Sequence, residues 1–269
     1  MFLTERSEMS QPLRTNQSRM DIEMSEVAFT PTAPALVFGG SRGMGAAIVR
    51  RLAAEGRPVA FTYASSPDKA ADVAREIEDA GGTALAIQAD SADAEAVRRA
   101  VETAVARFGK LGVLVVNAGV LISGTVDQFA IPDFDRMLAV NVRGVFTAIH
   151  HAAPHLLDGG RIITIGSNTA ERIGGPGSSV YAMTKAAVAQ LVRGASLDFA
   201  PRGITVNNVQ PGPVETDMTA DLMDYIRPRL PLGRIGKAEE IADLVDWLAG
   251  QGAGYMTGAS LTIDGGWTA

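Results

Sequence analysis

The chain has 269 residues, 46% hydrophobic and 20% charged, which is sufficient for one large globular domain. Its formal net charge of −6 excludes a broad basic surface, so no nucleic-acid partner is expected. The lack of cysteine excludes disulfides and thiolate metal sites, and it suits a protein of the reducing cytoplasm. No apolar run approaches the roughly 20 residues that span a bilayer, so no membrane partner is expected either.

Residues 1–33 differ in composition from the rest of the chain. They carry mixed charge together with serine, glutamine and asparagine, and they lack the apolar stretch of about 7–15 residues that marks a secretory signal. We therefore interpret residues 1–33 as a flexible N-terminal extension and residues 34–269 as a single domain.

From Pro34 onward, short β-branched runs alternate with longer helical patterns. The predicted strands are Ala35–Gly39, Pro58–Tyr63, Ala84–Gln88, Val113–Val116, Arg161–Ile165, Thr205–Val209 and Ser260–Ile263. The predicted helices are Gly43–Glu55, Asp68–Ala80, Ala92–Phe108, Pro132–Leu157, Ser178–Phe199 and Ala238–Ala249. Seven strands joined by helical crossovers predict an α/β fold with a doubly wound parallel sheet of the Rossmann type. Its ligand crevice is expected at the carboxyl ends of the strands, where the strand order reverses.

Three histidines fall on one of these predicted helices, at positions 150, 151 and 155. His151 and His155 have i,i+4 spacing, but no glutamate lies between them as it does in a zinc-protease helix. We therefore expect no metal site.

A glycine-rich turn follows the first predicted strand. Gly39, Gly43 and Gly45 allow a tight turn and let main-chain N–H groups approach a pyrophosphate at the start of a helix. The turn therefore predicts a dinucleotide-binding loop. Its expected cofactor-binding residues are Gly39, Ser41, Arg42, Gly43 and Met44.

The end of the second predicted strand favours NADP(H) over NAD(H). An enzyme that uses NAD(H) carries an acidic residue there, about 20 residues after the glycines, to hold the ribose 2′-hydroxyl. In this chain the strand ends in Tyr63-Ala64-Ser65-Ser66, without a carboxylate. Arg42, Ser65, Ser66 and Lys69 offer hydrogen-bond donors for a 2′-phosphate.

Tyr181 and Lys185 are four residues apart on the predicted helix Ser178–Phe199, so both side chains lie on one face. A phenol is a poor acid–base group at neutral pH, but a nearby ammonium favours the phenolate and lowers the phenol pKa. This spacing therefore predicts a proton-handling pair.

Two further polar residues are candidates for the same site. Ser167 follows the fifth predicted strand and is expected to hydrogen-bond the substrate oxygen, with Asn168 or Ser178 as alternatives. Asn141 lies in a predicted helix among apolar neighbours, which suggests a buried amide with a partner, for example a water that links it to Lys185.

Together these residues resemble the short-chain dehydrogenase/reductase superfamily, in its main branch of about 250 residues. The resemblance covers Ala35 to the C-terminus and also rests on Asn117-Ala118-Gly119 and Pro211–Thr216. It implies that Tyr181 is the general acid/base, that Lys185 binds the nicotinamide ribose, that Ser167 orients the substrate and that Asn141 holds a relay water. It further implies cofactor contacts from Asp90 and Ser91 at the adenine, from Asn117, Ala118 and Gly119 behind the cofactor, and from Pro211, Gly212, Val214 and Thr216 at the nicotinamide amide.

Two departures from the family pattern affect the predicted site. Phe38 stands where members commonly have a threonine whose hydroxyl braces the glycine loop. The serine usually precedes the tyrosine by 13 residues, but position 168 is Asn168 and Ser167 lies one residue further back.

The resemblance implies a mobile substrate cap at about residues 216–236, where apolar residues such as Leu222, Met223, Tyr225 and Ile226 suggest a substrate with a hydrophobic part. The favoured hypothesis is an NADP(H)-dependent reductase of 3-oxoacyl thioesters or ketones. An alternative is a nucleotide-binding regulator, because the motifs also resemble a branch of cyclic-di-GMP-binding biofilm-dispersal proteins. An epimerase or dehydratase is disfavoured, because those relatives carry an added C-terminal region. The family habit further implies a homotetramer.

Overall fold

The fold is described from a computed structural model that covers residues 30–216 and 226–269. Residues 1–29 of the expected extension lie outside the described residues, as do residues 217–225 of the expected cap, with Leu222, Met223 and Tyr225. Ala33, which we assigned to the extension, is buried, and its carbonyl accepts a hydrogen bond from the guanidinium of Arg57.

Within these ranges, seven parallel strands form one sheet in the order β3-β2-β1-β4-β5-β6-β7. The strands are β1 (Ala35–Phe38), β2 (Val59–Tyr63), β3 (Ala84–Gln88), β4 (Leu111–Val116), β5 (Leu156–Ile165), β6 (Thr205–Pro211) and β7 (Ser260–Ile263). The predicted Rossmann-type sheet is confirmed. The strand order reverses between β1 and β4, which pair along Ala35–Phe38, so a crevice opens at the carboxyl ends of these two strands.

Helices cover both faces of the sheet. They are α1 (Gly43–Ala54), α2 (Pro67–Asp79), α3 (Ala94–Phe108), α4 (Ile131–Leu138), α5 (Gly144–Ala152), α6 (Ser179–Phe199) and α7 (Ala238–Ala249). One apolar core joins α1, α2 and α7 to one face of the sheet, and a second joins α3, α5 and α6 to the other. Every residue of β4 is buried, as expected for a central parallel strand with helices on both sides.

The predicted helix Pro132–Leu157 is wrong as a single element. It consists of α4, a π-helical turn over Ala139–Arg143, α5 and a short 3₁₀ turn over Ala153–His155. Pro154 has no N–H to continue the helix, and Leu156 and Leu157 already belong to β5.

The π-helical turn widens the helix by one residue. The N–H of Gly144 donates to the carbonyl of Ala139, five residues back, and Asn141 lies inside the turn. Such turns occur mostly as single irregularities inside α-helices, and frequently at functional sites.

No helix within the described residues is both long enough and apolar enough to cross a membrane.

Candidate active site

The glycine-rich loop between β1 and α1 is packed too closely to admit a side chain at Gly45. A Cβ atom there would lie 1.9 Å from the carbonyl oxygen of Gly39 and 2.6 Å from Nδ2 of Asn117. Gly39 and Gly43 also have positive φ angles, of 80° and 52°. The loop thus brings main chain against main chain at the start of α1, where the first N–H groups of a helix have no partner within it.

Thr62 supplies the hydroxyl that Phe38 cannot. Its side chain, on β2, is only 1% exposed, and its Oγ1 accepts a hydrogen bond of 3.0 Å from the N–H of Gly39. The Thr62 carbonyl accepts a second bond, 2.8 Å long, from the N–H of Gly40. The loop is therefore braced from the neighbouring strand, a contact that the sequence analysis missed because it joins residues 23 positions apart.

The side of the loop next to β2 is open to solvent. Arg42 begins α1 with an extended main chain, and it is exposed, as are Ala64 and Ser65 at the end of β2. The remaining residues predicted here, Ser41, Met44, Tyr63 and Ser66, are buried or half-buried. No acidic residue lies in the first turn of α1. This rim accordingly combines helix N–H groups, a guanidinium and hydroxyls, a donor set that suits a phosphate.

The segment Asn117–Gly119 follows β4 and lies directly against the loop. The side chain of Asn117 donates a 2.7 Å hydrogen bond to the Gly39 carbonyl. The N–H of Ala118 donates to the Phe38 carbonyl at 2.8 Å. Gly119 faces the other predicted residues, because a Cβ atom built on it would lie 3.4 Å from Nζ of Lys185 and 3.5 Å from Oδ1 of Asn141.

Asp90 and Ser91 follow β3 at the same edge. Oδ2 of Asp90 lies 3.0 Å from a guanidinium nitrogen of Arg136, and Oδ1 accepts a hydrogen bond from the N–H of Ala92. Because these partners stabilise the carboxylate, the pKa of Asp90 is lowered even though burial acts in the opposite direction. Arg136 thus holds the carboxylate toward α4.

The segment Pro211–Thr216 extends from β6 back to the glycine loop. The N–H of Gly212 donates to the Ile263 carbonyl on β7, and Val214 forms an isolated bridge with Gly236. A Cβ atom on Gly43 would lie 3.3 Å from Cγ2 of Thr216. This segment therefore closes the crevice on the side opposite β2.

Asn141 has two main-chain partners in addition to a side-chain one. Its Oδ1 accepts a 2.8 Å bond from the N–H of Val120, and its Nδ2 donates 2.8 Å and 3.2 Å bonds to the Val120 carbonyl and to Oγ1 of Thr184. It is fully buried, as the sequence predicted. Its partners here are Val120 and Thr184, and the amide thereby ties the π-helical turn to the chain after β4.

Lys185 lies on α6 with only 5% of its surface exposed. Its Nζ donates a 2.8 Å hydrogen bond to the carbonyl of Ile165, at the end of β5, and lies 5.6 Å from the centre of the Tyr181 ring. Burial lowers the pKa of Lys185 to about 8. The predicted proximity of the two side chains is therefore present in the fold.

The Tyr181 phenol faces Ser167, and the two form a hydrogen bond that lowers the pKa of the phenol. Burial is the larger effect and raises the pKa of Tyr181 to about 12. The expected lowering of this pKa by Lys185 is therefore not found in this structure. Desolvation of a phenolate in a largely apolar site outweighs a favourable neighbour.

Ser167 has main-chain and side-chain neighbours that the sequence analysis did not identify. It directly precedes a 3₁₀ turn, Asn168–Ala170, and its Oγ accepts hydrogen bonds from the N–H of Thr169 at 3.2 Å and from the hydroxyl of Thr169 at 2.9 Å. Asn168 instead directs its Nδ2 to Asp264, and Ser178 caps α6 without a side-chain hydrogen bond. Of the three hydroxyl or amide candidates, Ser167 is the one paired with Tyr181.

Residues from the C-terminal segment form an apolar cluster beside the loop that joins β5 to α6. Ile226, Leu230 and Ile235 form a small apolar cluster with Trp267, and the indole of Trp267 lies beside Gly174 in the loop between β5 and α6. The three buried members of this cluster belong to the described part of the predicted cap, and Trp267 connects them to the loop between β5 and α6.

The arrangement combines an acid of high pKa, a buried amine and a donor hydroxyl at the carboxyl edge of a doubly wound sheet. Beside them, a tightly packed glycine loop leads into the N-terminus of α1, as in a dinucleotide site. Such a site can hold a cofactor and deliver a proton to an oxygen atom of a second molecule.

Comparison with known proteins gives a consistent result. Residues 39–268 match the family model described as enoyl-(acyl carrier protein) reductase. The chain is 43% identical over 233 residues to the cyclic-di-GMP-binding biofilm dispersal mediator protein of Escherichia coli, with 86% of this chain and 94% of that protein covered. It is 40% identical over 241 residues to a 3-oxoacyl-acyl-carrier-protein reductase of Staphylococcus aureus, with 87% and 98% covered.

Two solved structures show the same fold. A short-chain dehydrogenase/reductase from Serratia marcescens superimposes with a TM-score of 0.87 at 56% identity, covering 89% of this chain and 100% of that one. A short-chain dehydrogenase from Burkholderia cenocepacia, solved in complex with NADP, superimposes with a TM-score of 0.85 at 46% identity, covering 88% and 98%.

Proposed function

Because the chain belongs to the short-chain dehydrogenase/reductase family, a family of oxidoreductases, we propose that it transfers hydride between NADP(H) and a carbonyl or secondary alcohol. The observation that carries the proposal is the convergence of Tyr181, Ser167 and Lys185 at the carboxyl edge of the sheet, next to the glycine loop. A protein that only bound a nucleotide would have no chemical need for this set.

In the proposed reduction, bound NADPH supplies the hydride that the carbonyl carbon receives. Tyr181, whose high pKa keeps it protonated at neutral pH, donates its proton to the carbonyl oxygen and becomes a phenolate. The hydroxyl of Ser167 donates a hydrogen bond to the same oxygen and orients it. Lys185, with a pKa of about 8, does not lower the pKa of the resting phenol, but its ammonium form would stabilise the phenolate once proton transfer has created it and would return a proton through solvent.

The residues proposed to hold NADP(H) are those that surround the crevice. The glycine loop, with Gly39, Ser41, Gly43 and Met44, would bind the pyrophosphate, and Arg42 with Ser65 and Ser66 would bind the 2′-phosphate. Asp90 and Ser91 would contact the adenine, the segment 117–119 would lie behind the cofactor, and the segment 211–216 would contact the nicotinamide amide. Support comes from the donor set at the β2 rim and from the NADP carried by the Burkholderia relative.

Substitution of Arg42 by alanine is expected to weaken NADPH binding about tenfold and to change NADH binding less than twofold, because a guanidinium–phosphate bond contributes about 1.5–3 kcal/mol at most. Isothermal titration with both cofactors measures this. Arg50→Ala is the matched control, since Arg50 is an exposed arginine of the same helix that pairs with Glu76 away from the loop. Equal losses for NADPH and NADH would show that Arg42 does not recognise the 2′-phosphate.

The proposed substrates are ketones or 3-oxoacyl thioesters with a hydrophobic part. The apolar cluster of Ile226, Leu230, Ile235 and Trp267 supports this substrate class, as does the 3-oxoacyl reductase among the relatives. NADPH oxidation followed at 340 nm over ketones, diketones, quinones and 3-oxoacyl thioesters tests it directly. We expect turnover with at least one class, and no turnover with any of them would refute the proposal.

A second candidate function is binding of cyclic-di-GMP, which is favoured by the name of the Escherichia coli relative. It is separable from the first by titrating cyclic-di-GMP in the presence and absence of NADPH. Tight binding without carbonyl turnover would support this second function in place of the first.

Homotetramer formation and a cytoplasmic location stay predictions from the family and the composition. Exposed apolar side chains on α4 and α5, Ile131 and Phe146, are compatible with a subunit contact.

A further inference from the structure

Thr169 places two hydrogen-bond donors, its N–H and its hydroxyl, next to the hydroxyl oxygen of Ser167. The N–H of Thr169 donates to Ser167 Oγ at 3.2 Å, and the direction of this bond is fixed because an N–H can only donate. The Thr169 hydroxyl lies 2.9 Å from the same oxygen. Thr169 is half-buried and lies in the 3₁₀ turn that Ser167 caps, so main-chain geometry sets its position.

A serine hydroxyl has two acceptor lone pairs and one proton. When both lone pairs of Ser167 accept from Thr169, the Ser167 proton must be donated elsewhere. With the Thr169 hydroxyl acting as the donor in their 2.9 Å contact, the nearest other acceptor in the turn is Oδ1 of Asn168, 3.5 Å away and beyond the range of a good O–H···O bond. Asn168 is itself held toward Asp264 by a bond from its Nδ2. The proton of Ser167 is therefore available on the side of Tyr181.

We propose that Thr169 is a positioning residue that directs the single proton of Ser167 toward the oxygen of Tyr181 in the free protein and toward the reacting oxygen when substrate is bound. Without the Thr169 hydroxyl, one lone pair of Ser167 becomes free, and Ser167 can then accept a hydrogen bond from the Tyr181 hydroxyl. That reversed bond would favour the protonated phenol, and the Ser167 proton would no longer be directed toward the substrate oxygen. The catalytic consequence rests on the proposed reductase function, but the orientation of the Ser167 hydroxyl does not.

The kinetic test compares two substitutions at this position. Thr169→Val keeps the shape of the side chain and removes the hydroxyl, whereas Thr169→Ser keeps the hydroxyl. For carbonyl reduction by Thr169→Val we expect kcat to fall about three- to tenfold with KM within about twofold, the effect of one lost hydrogen bond. Thr169→Ser is expected to retain wild-type kcat. Thr103→Val, which removes a hydroxyl that bonds main chain on the exposed face of α3, is expected to change neither value.

A spectroscopic test measures the effect of the hydrogen bond between Ser167 and Tyr181 without requiring turnover. In protein labelled with 3-fluorotyrosine, the ¹⁹F signal of position 181 is assigned by its loss in Tyr181→Phe, and its titration reports ionisation of the phenol. We expect Thr169→Val to raise the midpoint by about half a pH unit, which corresponds to a threefold change in the ionisation constant. Thr169→Ser is expected to titrate like the wild type.

The outcomes separate this inference from the proposed function. A wild-type protein that reduces no carbonyl, together with a shifted titration in Thr169→Val alone, overturns the function and upholds the orientation of Ser167. An unchanged titration in Thr169→Val overturns the inference, whatever the activity. The same change in Thr169→Ser and Thr169→Val also overturns it, because the effect would then come from packing and not from the hydroxyl.

Discussion

Tyr181→Phe is expected to lower kcat for carbonyl reduction by about 10³-fold, because general acid catalysis by a positioned side chain contributes 10²–10⁴-fold. Phenylalanine keeps the ring, its packing and its distance from Lys185, and it removes only the proton donor. Steady-state NADPH oxidation with the best substrate of the panel measures the change.

Cofactor binding provides the internal check on this variant. The glycine loop is braced by Thr62 and Asn117 and does not depend on the phenol, so the Kd of NADPH is expected to change less than about threefold. Tyr255→Phe is the matched control, since Tyr255 is fully exposed and lies after α7. If Tyr181→Phe kept more than about a tenth of the wild-type kcat, another group would have to be the acid.

Most of the sheet was predictable because each strand carries its own local signal. β4 is an uninterrupted apolar run, and β3 and β7 begin and end at the predicted residues. These features depend on residues adjacent in sequence. The broken helix after β4 was not predictable in this way. Its π-helical turn places Asn141 against Val120, a contact across 21 residues, and a helical pattern alone does not reveal such a contact.

In the candidate site, too, features that depend on local spacing were predictable, whereas contacts between distant residues were not. The pair Tyr181 and Lys185 and the glycine loop follow from spacing within one element, and the fold brings them to one edge of the sheet. Thr62, Thr169 and Asp264 were missed. Thr62 and Asp264 act through contacts with residues 23 and 96 positions away, and a hydroxyl or carboxylate on its own carries no pattern. Thr169 was close enough to Ser167 to be considered, but its direction depends on the 3₁₀ turn that only the structure shows.

The pKa of the phenol shows where spacing alone misleads. Spacing correctly predicts that an amine lies near Tyr181, but the balance between that charge and desolvation depends on how deeply both groups are buried. Burial raises the pKa of Tyr181 and lowers the pKa of Lys185. In both cases it favours the neutral form of the group. Both pKa shifts follow because the two titratable groups lie on the side of α6 that packs against the sheet.

Lys185→Met is expected to lower kcat about 10²-fold, because removal of one preorganised charged donor from an active site has an effect of this size. Methionine approximates the length of the lysine side chain but has no charge to favour the phenolate. Lys110→Met is the matched control, since Lys110 is exposed at the start of β4. A kcat within about twofold of the wild type would show that Lys185 has no part in the reaction.

The Lys185→Met variant also tests whether the Lys185 amine is buried, through the pH dependence of the free energy of unfolding. The pKa of Lys185 falls from 10.5 to about 8 on folding, so between these values the unfolded chain holds a proton that the folded chain does not. Stability from this group is therefore present above pH 10.5 and is lost as the pH falls toward 8. Lys185→Met has no such group, so the free energy of unfolding of the wild type, relative to the variant, is expected to rise by about 2 kcal/mol between about pH 7 and pH 9.5.

Urea unfolding of both proteins across this range measures the difference, and the comparison cancels titrations that the two chains share. The range ends below pH 10 because Tyr181, whose pKa is raised from 10.0 to about 12, acts in the opposite sense at higher pH. Its stabilising effect is complete below pH 10 and is lost as the pH rises toward 12. A difference that stayed constant from pH 7 to pH 9.5 would mean that Lys185 keeps an ordinary pKa in the folded chain. The Lys185 amine would then be hydrated, and it would remain fully charged next to the Tyr181 phenol at neutral pH.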